Sequence, residues 1–274
     1  MAHSATGTSR RGPLAAKVPE ITFLFWVIKL LTTAAGEATT DDLALHGYFL
    51  AAVVEGGIFV IAVIIQFSVR RYVAAAYWFL ALAIAIFGTG VADAKHLIVG
   101  IPYGGTTALW ACILAVIFAV WYRSEGTLSI HSITTTRREL FYWATVFATF
   151  ALGTALGDLV ATPLHLGYLA SGILFFVVIL IPAAAWSWFR LNAVVAFWFA
   201  YVVTRPLGAS FADYFSKPHS ISGANFGDGP VALITTIIVA ILVGYLAVAR
   251  NDIQRPADQQ PGRMATVSDD VVGR

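Results

Sequence analysis

Apolar runs of about 20 residues recur along almost the entire chain, and their length is the feature that most restricts its fold. A helix of about 20 residues crosses the hydrocarbon core of a bilayer. Such runs lie at 20–42, 45–67, 74–93, 103–122, 139–160, 164–189, 192–214 and 229–250. Because a backbone in lipid must satisfy its own hydrogen bonds, these runs are expected to be helices. We therefore predict an all-α, polytopic membrane protein with eight transmembrane helices.

The composition agrees with this prediction. Of the 274 residues, 59% are apolar and 12% are charged, and the mean hydropathy is +0.79, values typical of a membrane protein. The single cysteine, Cys112, excludes a disulfide within the chain. The net charge of +2 is small. We expect the lipid bilayer and a small ion as partners, and no nucleic acid.

The distribution of basic residues predicts the orientation of the chain. Every second connection and both ends carry arginine or lysine: Arg10, Arg11, Lys17, Arg70, Arg71, Arg123, Arg137, Arg138, Arg190 and Arg250. The opposite connections hold only Lys95 and Lys217. By the positive-inside rule, both termini are cytoplasmic. We predict a bacterial inner-membrane protein with a membrane domain at 17–250 between disordered cytoplasmic tails at 1–16 and 251–274.

The odd-numbered runs are copies of one another. Their aligned segments are FWVIKLLTTAAGEATTD from Phe25, YWFLALAIAIFGTGVAD from Tyr77, YWATVFATFALGTALGD from Tyr142 and FWFAYVVTRPLGASFAD from Phe197. Each contains a tryptophan, a glycine ten positions later and an aspartate fifteen positions later. The sets are Trp26, Trp78, Trp143 and Trp198; Gly36, Gly88, Gly153 and Gly208; Asp41, Asp93, Asp158 and Asp213.

These copies predict four repeat units, at about 17–72, 73–124, 137–190 and 191–250. In each unit a second span returns the chain to the cytoplasm, so that all units cross the membrane in the same sense. The predicted architecture is four tandem, parallel helical-hairpin repeats.

The segment KVPEITFLFWVIKLLTTAAGEATTD with its three weaker copies, and the segment TRPLGASFAD, resemble a known family. It is the "repeat of unknown function" family of uncharacterised bacterial membrane-anchored proteins, and the resemblance covers about residues 17–250. The resemblance implies repeated helical hairpins in the membrane. It implies no activity for individual residues.

Polar residues in the repeats share one helix face. Positions 3, 4, 7, 11 and 15 after the tryptophan lie within about 60° of it on a helix. This stripe holds Lys29, Thr33, Glu37 and Asp41 in unit one, Thr89 and Asp93 in unit two, Thr154 and Asp158 in unit three, and Tyr201, Arg205 and Asp213 in unit four. Since such groups avoid lipid, we expect the stripes to converge on a central polar region.

The four aspartates are the main candidates for function. Each lies near a helix C-terminus, where the negative end of the helix dipole disfavours a carboxylate. Three explanations remain open: an ion or proton site that includes Glu37, internal structural pairing, and simple placement at the membrane boundary. A divalent metal ion such as Mn²⁺ or Zn²⁺ is a candidate substrate, with His46, His96 and His165 as candidate ligands.

The other buried charges are expected to form ion pairs. Lys29 and Glu55 fall near the middle of their spans, where an isolated charge is costly. We expect Lys29 or Arg205 to pair with Glu37 or Glu55; an unpaired Arg205 would instead favour an anionic substrate. The repeat glycines, Gly36, Gly88, Gly153 and Gly208, are assigned to helix packing, and Pro206 to a kink.

The sequence favours transport of a small ion, most simply a cation, through a pseudo-symmetric carboxylate site. The alternative is a membrane scaffold or sensor whose buried charges are structural. A membrane redox protein is a weaker alternative, because no histidine pair has the spacing expected of stacked haems. Enzyme motifs such as H-E-x-x-H and G-x-S-x-G are missing from the sequence. We predict that the chain is not an enzyme.

Overall fold

Helices make up most of the part of the chain that its computed structural model describes, residues 16–97 and 100–254 without the side chains of residues 95–97 and 189. Eight α-helices lie in these ranges: α1 Phe23–Leu45, α2 Tyr48–Ser68, α3 Ala74–Leu97, α4 Tyr103–Glu125, α5 Thr136–Ala161, α6 Tyr168–Phe189, α7 Ala193–Ser216 and α8 Asp228–Ala249. The predicted all-α fold is confirmed. Residues 1–15 and 255–274 of the predicted tails lie outside the described ranges.

Membrane-spanning character differs among the helices. Seven of the eight helices in the described ranges, α2 to α8, are long and apolar enough to cross a membrane. The exception is α1, which carries Lys29, Glu37, Asp41 and Asp42 within its 23 residues. The protein is therefore a multi-pass membrane protein whose first helix is unusually polar.

Four helices form a central ring. The odd-numbered helices α1, α3, α5 and α7, which we call the inner helices, pack in a cycle of α1 on α3, α3 on α5, α5 on α7 and α7 on α1. The even-numbered helices, which we call the outer helices, are far less buried. In the most apolar 18-residue segment of each outer helix, 17% to 22% is buried inside the protein, against 50% to 72% for α3, α5 and α7. The polar helix α1 thus lies in the ring.

The outer helices do not pack mainly on the inner helix of their own unit. Helix α2 packs most extensively on α3, α4 on α5, α6 on α7, and α8 on α1. The two helices of a repeat unit are therefore consecutive in the chain but are not the main packing partners. The main packing joins the outer helix of each unit to the inner helix of the next unit. The last helix closes the cycle on the first.

Aromatic residues build the core at the N-terminal ends of the inner helices. Ring centroids lie 5.5 Å apart for Phe25 and Trp78, 6.3 Å for Tyr77 and Tyr142, and 6.1 Å for Tyr142 and Trp198. These residues occupy equivalent or adjacent positions in their repeats. The repeat alignment is therefore also a spatial register.

The repeat glycines lie where neighbouring inner helices approach most closely. A Cβ atom at Gly36 would overlap Ala85, one at Gly88 would lie 3.2 Å from the Phe150 Cβ atom, one at Gly153 would overlap Arg205, and one at Gly208 would overlap Thr33. In every case the neighbour stands seven positions after the repeat tryptophan of the next unit. Packing of glycine against the adjacent helix is thus common to all four units.

Pro206 does not end α7. Helix α7 continues through Pro206 to Ser216, and the proline packs against Gly153 and Gly157 of α5. At the N-terminal end of the ring, Lys17 Nζ lies 2.6 Å from the buried Glu139 carboxylate, which also accepts from Gln66 Nε2 at 2.8 Å. This buried ion pair closes the end of the bundle opposite the aspartates.

Candidate functional site

All four repeat aspartates line one cavity at the C-terminal ends of the inner helices. The cavity has a volume of about 170 Å³ and is lined by Glu37, Asp41, Asp93, Tyr103, Asp158, Thr162, Tyr168, Asp213 and Lys217. We call it the carboxylate cavity. Each inner helix contributes one aspartate because the repeats place it on the face toward the centre of the ring. The predicted convergence of the polar stripes is present at this level.

Three carboxylates in the cavity are especially close. Single oxygen atoms of Glu37, Asp41 and Asp213 lie within 4.8 Å of one another. Glu37 and Asp213 are buried, whereas Asp41 is partly buried. Such a cluster of hard oxygen donors matches the ligand preference of Mg²⁺, Ca²⁺ or Mn²⁺.

Lys217 lies at the edge of the cavity, directly after α7. Its Nζ atom donates to Asp41 Oδ2 at 2.6 Å and to Asp228 Oδ1 at 3.0 Å. Burial lowers the pKa of the Lys217 ammonium, but Asp41 and Asp213 raise it further, so that the net pKa lies above its ordinary value. Lys217 is therefore a permanent cation.

Arg205 lies beside the carboxylate cavity and binds Glu37, one of its lining residues. Its guanidinium donates to Glu37 Oε2 and to the hydroxyl of Thr89, to Thr154 Oγ1 at 2.8 Å, and to the carbonyl oxygen of Thr33 at 3.2 Å. These partners come from α1, α3 and α5, and the Arg205 side chain is fully buried. One guanidinium, carried by α7, thus connects all four inner helices.

Lys29 lies deeper in the ring and is bound differently. Its ammonium is buried, and no hydrogen-bond partner occurs for it among the residues that the structure describes. Instead Nζ lies 3.9 Å from the ring centroid of Phe150 and 4.3 Å from that of Tyr201. Of the predicted pairings, the structure contains Arg205 with Glu37, and Lys29 contacts aromatic faces.

The cavity holds more carboxyl groups than cationic side chains. Five carboxylates line it, and within the described part of the chain two of them form ion pairs: Glu37 with Arg205 and Asp41 with Lys217. No ion pair in the same ranges involves Asp93, Asp158 or Asp213. Low-dielectric surroundings strengthen repulsion between such groups, and a bound cation or protons would relieve it.

The remaining predicted residues lie apart from this cavity. Glu55 is buried on α2 and packs against Gly90 of α3. His46 and His165 are exposed and do not line the cavity, although both lie near the same end of the bundle. The side chain of His96 lies outside the described part of the structure.

Four lining residues were not among the predicted site residues: Tyr103, Thr162, Tyr168 and Lys217. Two signals could have found three of them. Lys217 follows Asp213 by four positions, which places both on one helix face. Tyr103 and Tyr168 each follow the aspartate of their unit by ten positions and begin an outer helix.

Comparison with known proteins identifies a matching family. Four segments match the model of a family described as "Repeat of Unknown Function": residues 24–72, 76–127, 141–192 and 196–252. Each segment contains one set of repeat tryptophan, glycine and aspartate, and together the segments cover more than half of the chain. No curated protein and no solved structure matches the chain.

Proposed function

Since the chain belongs to the Repeat of Unknown Function family, whose description names no activity, we propose a function from its own residues: transport of a small cation through the membrane. The carboxylate cavity is the proposed binding site. Divalent metal ions are the proposed substrates, and protons are the proposed coupling ions. The observation that carries the proposal is the convergence of four repeat-equivalent aspartates on one cavity with more carboxylates than cations.

The placement of charge supports this proposal over simple boundary placement of the aspartates. An aspartate at a membrane boundary needs only water, and it would not have to face its equivalents in the other units. Here all four face each other across about 170 Å³, beside Glu37. Bringing like charges together is costly, so their convergence favours a role that uses a cation.

We propose that α1 also crosses the membrane and that the cavity opens to the non-cytoplasmic side. Support for the crossing comes from the position of α1 in the ring, where α3, α7 and α8 cover it. Support for the orientation comes from the arginines of the connections at the end of the bundle opposite the cavity, which are Arg70, Arg71, Arg123, Arg137, Arg138, Arg190 and Arg250. Reporter fusions at the two termini and after residue 225, in the connection between α7 and α8, test this orientation.

The alternative is a scaffold or sensor, and one observation favours it for part of the polar network. The contacts of Arg205 with Glu37, Thr89 and Thr154 join the inner helices, which is a structural task. This observation does not extend to Asp93 or Asp158. The two functions are therefore distinguished best at those aspartates.

The test is cation flux into liposomes that contain the purified protein. Asp158→Asn should abolish uptake of the transported ion while the protein remains folded and monodisperse. Asp42→Asn is the matched control, because Asp42 is also an aspartate near the end of an inner helix but does not line the cavity. A panel of Mn²⁺, Mg²⁺, Ca²⁺, Zn²⁺, Na⁺ and protons identifies the substrate.

Absence of flux for every ion in this panel would refute transport. If both variants lost function only in step with loss of folded protein, the scaffold alternative would be favoured instead.

A further inference from the structure

The ammonium of Lys217 forms an ion pair with one of the carboxylates that would bind a cation in the cavity. Lys217 Nζ lies 2.6 Å from Asp41 Oδ2, and Asp41 is one of the three carboxylates whose oxygens lie within 4.8 Å of one another. An ammonium at this position offers the same charge as a bound monovalent cation. It therefore competes with any cation that binds to these three carboxylates.

The same ammonium already contacts a second carboxylate outside the cavity. Asp228 Oδ1 lies 3.0 Å from Lys217 Nζ, and Asp228 is the first residue of α8 rather than a lining residue. The Lys217 side chain is 19% exposed. Lysine is a mobile point charge on a flexible stem, so a small movement transfers it from Asp41 to Asp228.

We propose that Lys217 is a tethered counter-ion that holds Asp41 in the cation-free protein, yields Asp41 to an incoming ion by moving onto Asp228, and thereby selects divalent over monovalent cations. This inference rests on the proposed function and names the residue that determines its ion specificity. A doubly charged ion gains about twice the Coulomb energy from Asp41 that a singly charged ion gains. Only for the divalent ion does this gain exceed the energy that is lost when Lys217 leaves Asp41.

The proposal predicts opposite effects for the two ends of this ion-pair network. Lys217→Gln removes the competitor, and we expect binding of Mn²⁺ to tighten by about tenfold, with a larger gain for Na⁺. Asp228→Asn removes the second anchor and confines Lys217 to Asp41, so we expect binding of Mn²⁺ to weaken by about tenfold. In the double variant, loss of Asp228 should have little further effect, because its influence acts through Lys217.

The measurement is titration calorimetry of the full-length protein in detergent with Mn²⁺ alone, followed by competition with Na⁺. Lys217→Arg keeps the charge and should stay close to the wild-type affinity. Size-exclusion profiles and thermal midpoints show whether each variant is folded. Should Lys217→Gln fail to fold, Asp228→Asn alone still tests the direction of the effect.

Each result is decisive. Tighter binding by Lys217→Gln together with weaker binding by Asp228→Asn supports the proposal, as does binding that occurs only after Lys217→Gln. If the wild type binds Mn²⁺ but Lys217→Gln binds no more tightly, or if both single variants change the affinity in the same direction, the tethered counter-ion is refuted and the proposed function stands. If no variant binds Mn²⁺ or Na⁺, the tethered counter-ion is refuted for these ions, whereas the proposed function is decided by the flux assay with its full ion panel.

Discussion

At the scale of single residues, Arg205 joins the four inner helices through its hydrogen bonds. Its guanidinium contacts Glu37 and the Thr33 carbonyl on α1, Thr89 on α3 and Thr154 on α5. A buried ion pair adds little net stability over an apolar pair, because both charges lose their hydration. Its value here lies in the fixed relative position of four helices, since the fork of the guanidinium accepts few alternative geometries.

Removal of one partner of this pair should cost more than removal of both. Arg205→Met leaves Glu37 buried beside Asp41 and Asp213 without its cation, and we expect a loss of about 3–5 kcal/mol in the free energy of unfolding. The double variant with Glu37→Met should recover a large part of that loss. Reversible unfolding in micelles measures both values, and additive losses would contradict the prediction.

Lys29 should behave in the opposite way to a paired lysine. Its ammonium has ring faces of Phe150 and Tyr201 as partners, so Lys29→Met keeps the packing and removes a desolvated charge. We expect the free energy of unfolding to rise by about 1–3 kcal/mol. The matched control is Lys17→Met, which leaves Glu139 without its cation and should lower stability. Equal losses from both changes would show that Lys29 is needed for folding.

Lys217 should contribute to stability without dependence on pH near neutrality. Its pKa is raised in the folded state, so its contribution is complete below the unfolded pKa of about 10.4 and is lost only as pH rises through the higher folded value. The difference in thermal midpoint between wild type and Lys217→Gln should therefore stay constant from about pH 7.5 to about pH 9.5. A difference that disappears within this range would contradict a permanent positive charge.

At the scale of helices, the spacing of the ring depends on residues without side chains. A Cβ atom at Gly208 would overlap the Thr33 side chain and lie 3.0 Å from the backbone oxygen of Leu30. Because a backbone atom of α1 cannot rotate away, α7 and α1 would have to separate. The separation would also disturb the contact of Arg205 with the Thr33 carbonyl of α1.

Gly208→Ala should therefore be destabilising, by about 1–3 kcal/mol, through overpacking between α7 and α1. Gly244→Ala on α8 is the matched control, because no atom lies within 4 Å of the Cβ atom that it adds. We expect the control to be neutral or slightly stabilising, since alanine favours the helix by about 0.5–1 kcal/mol. Thermal unfolding of both variants gives the comparison, and similar midpoints would show that the close approach tolerates a methyl group.

At the scale of the whole molecule, four similar units form one closed cycle. Each outer helix covers the inner helix of the following unit, and α8 covers α1. The arrangement makes the first unit depend on the last, because α1 would otherwise expose its polar residues to lipid. The central cavity exists only when all four inner helices are assembled.

A disulfide can test this closure directly. A Cβ atom at Gly229 would lie 3.6 Å from the Asp42 Cγ atom, which is where a cysteine sulfur would stand. In a Cys112→Ser background, Asp42→Cys with Gly229→Cys should form a cross-link within one chain under mild oxidation. Gel mobility distinguishes this product from the single-cysteine controls. Cross-linked dimers in its place would show that α8 closes the cycle on a second copy.

The helices, their repeat register and the shared helix face of Asp41, Asp93, Asp158 and Asp213 can all be predicted from the amino-acid sequence. These features are local, because they follow from apolar length, helical periodicity and fixed offsets from a tryptophan. The packing role predicted for Gly36 and its equivalents depends on local spacing in the same way. For this reason the level of the cavity in the bundle could be predicted.

The contacts between units and the pairing of charges depend on the assembled bundle. The packing of outer helices on the following unit and the closure of α8 on α1 depend on how four similar hairpins share one core. Likewise, Arg205 meets Glu37 and Lys217 meets Asp41 across more than 160 residues of chain. Lys29 and Glu55 looked equally suited to pairing by depth alone. Their true neighbours follow from the register of adjacent helices, which no local pattern encodes.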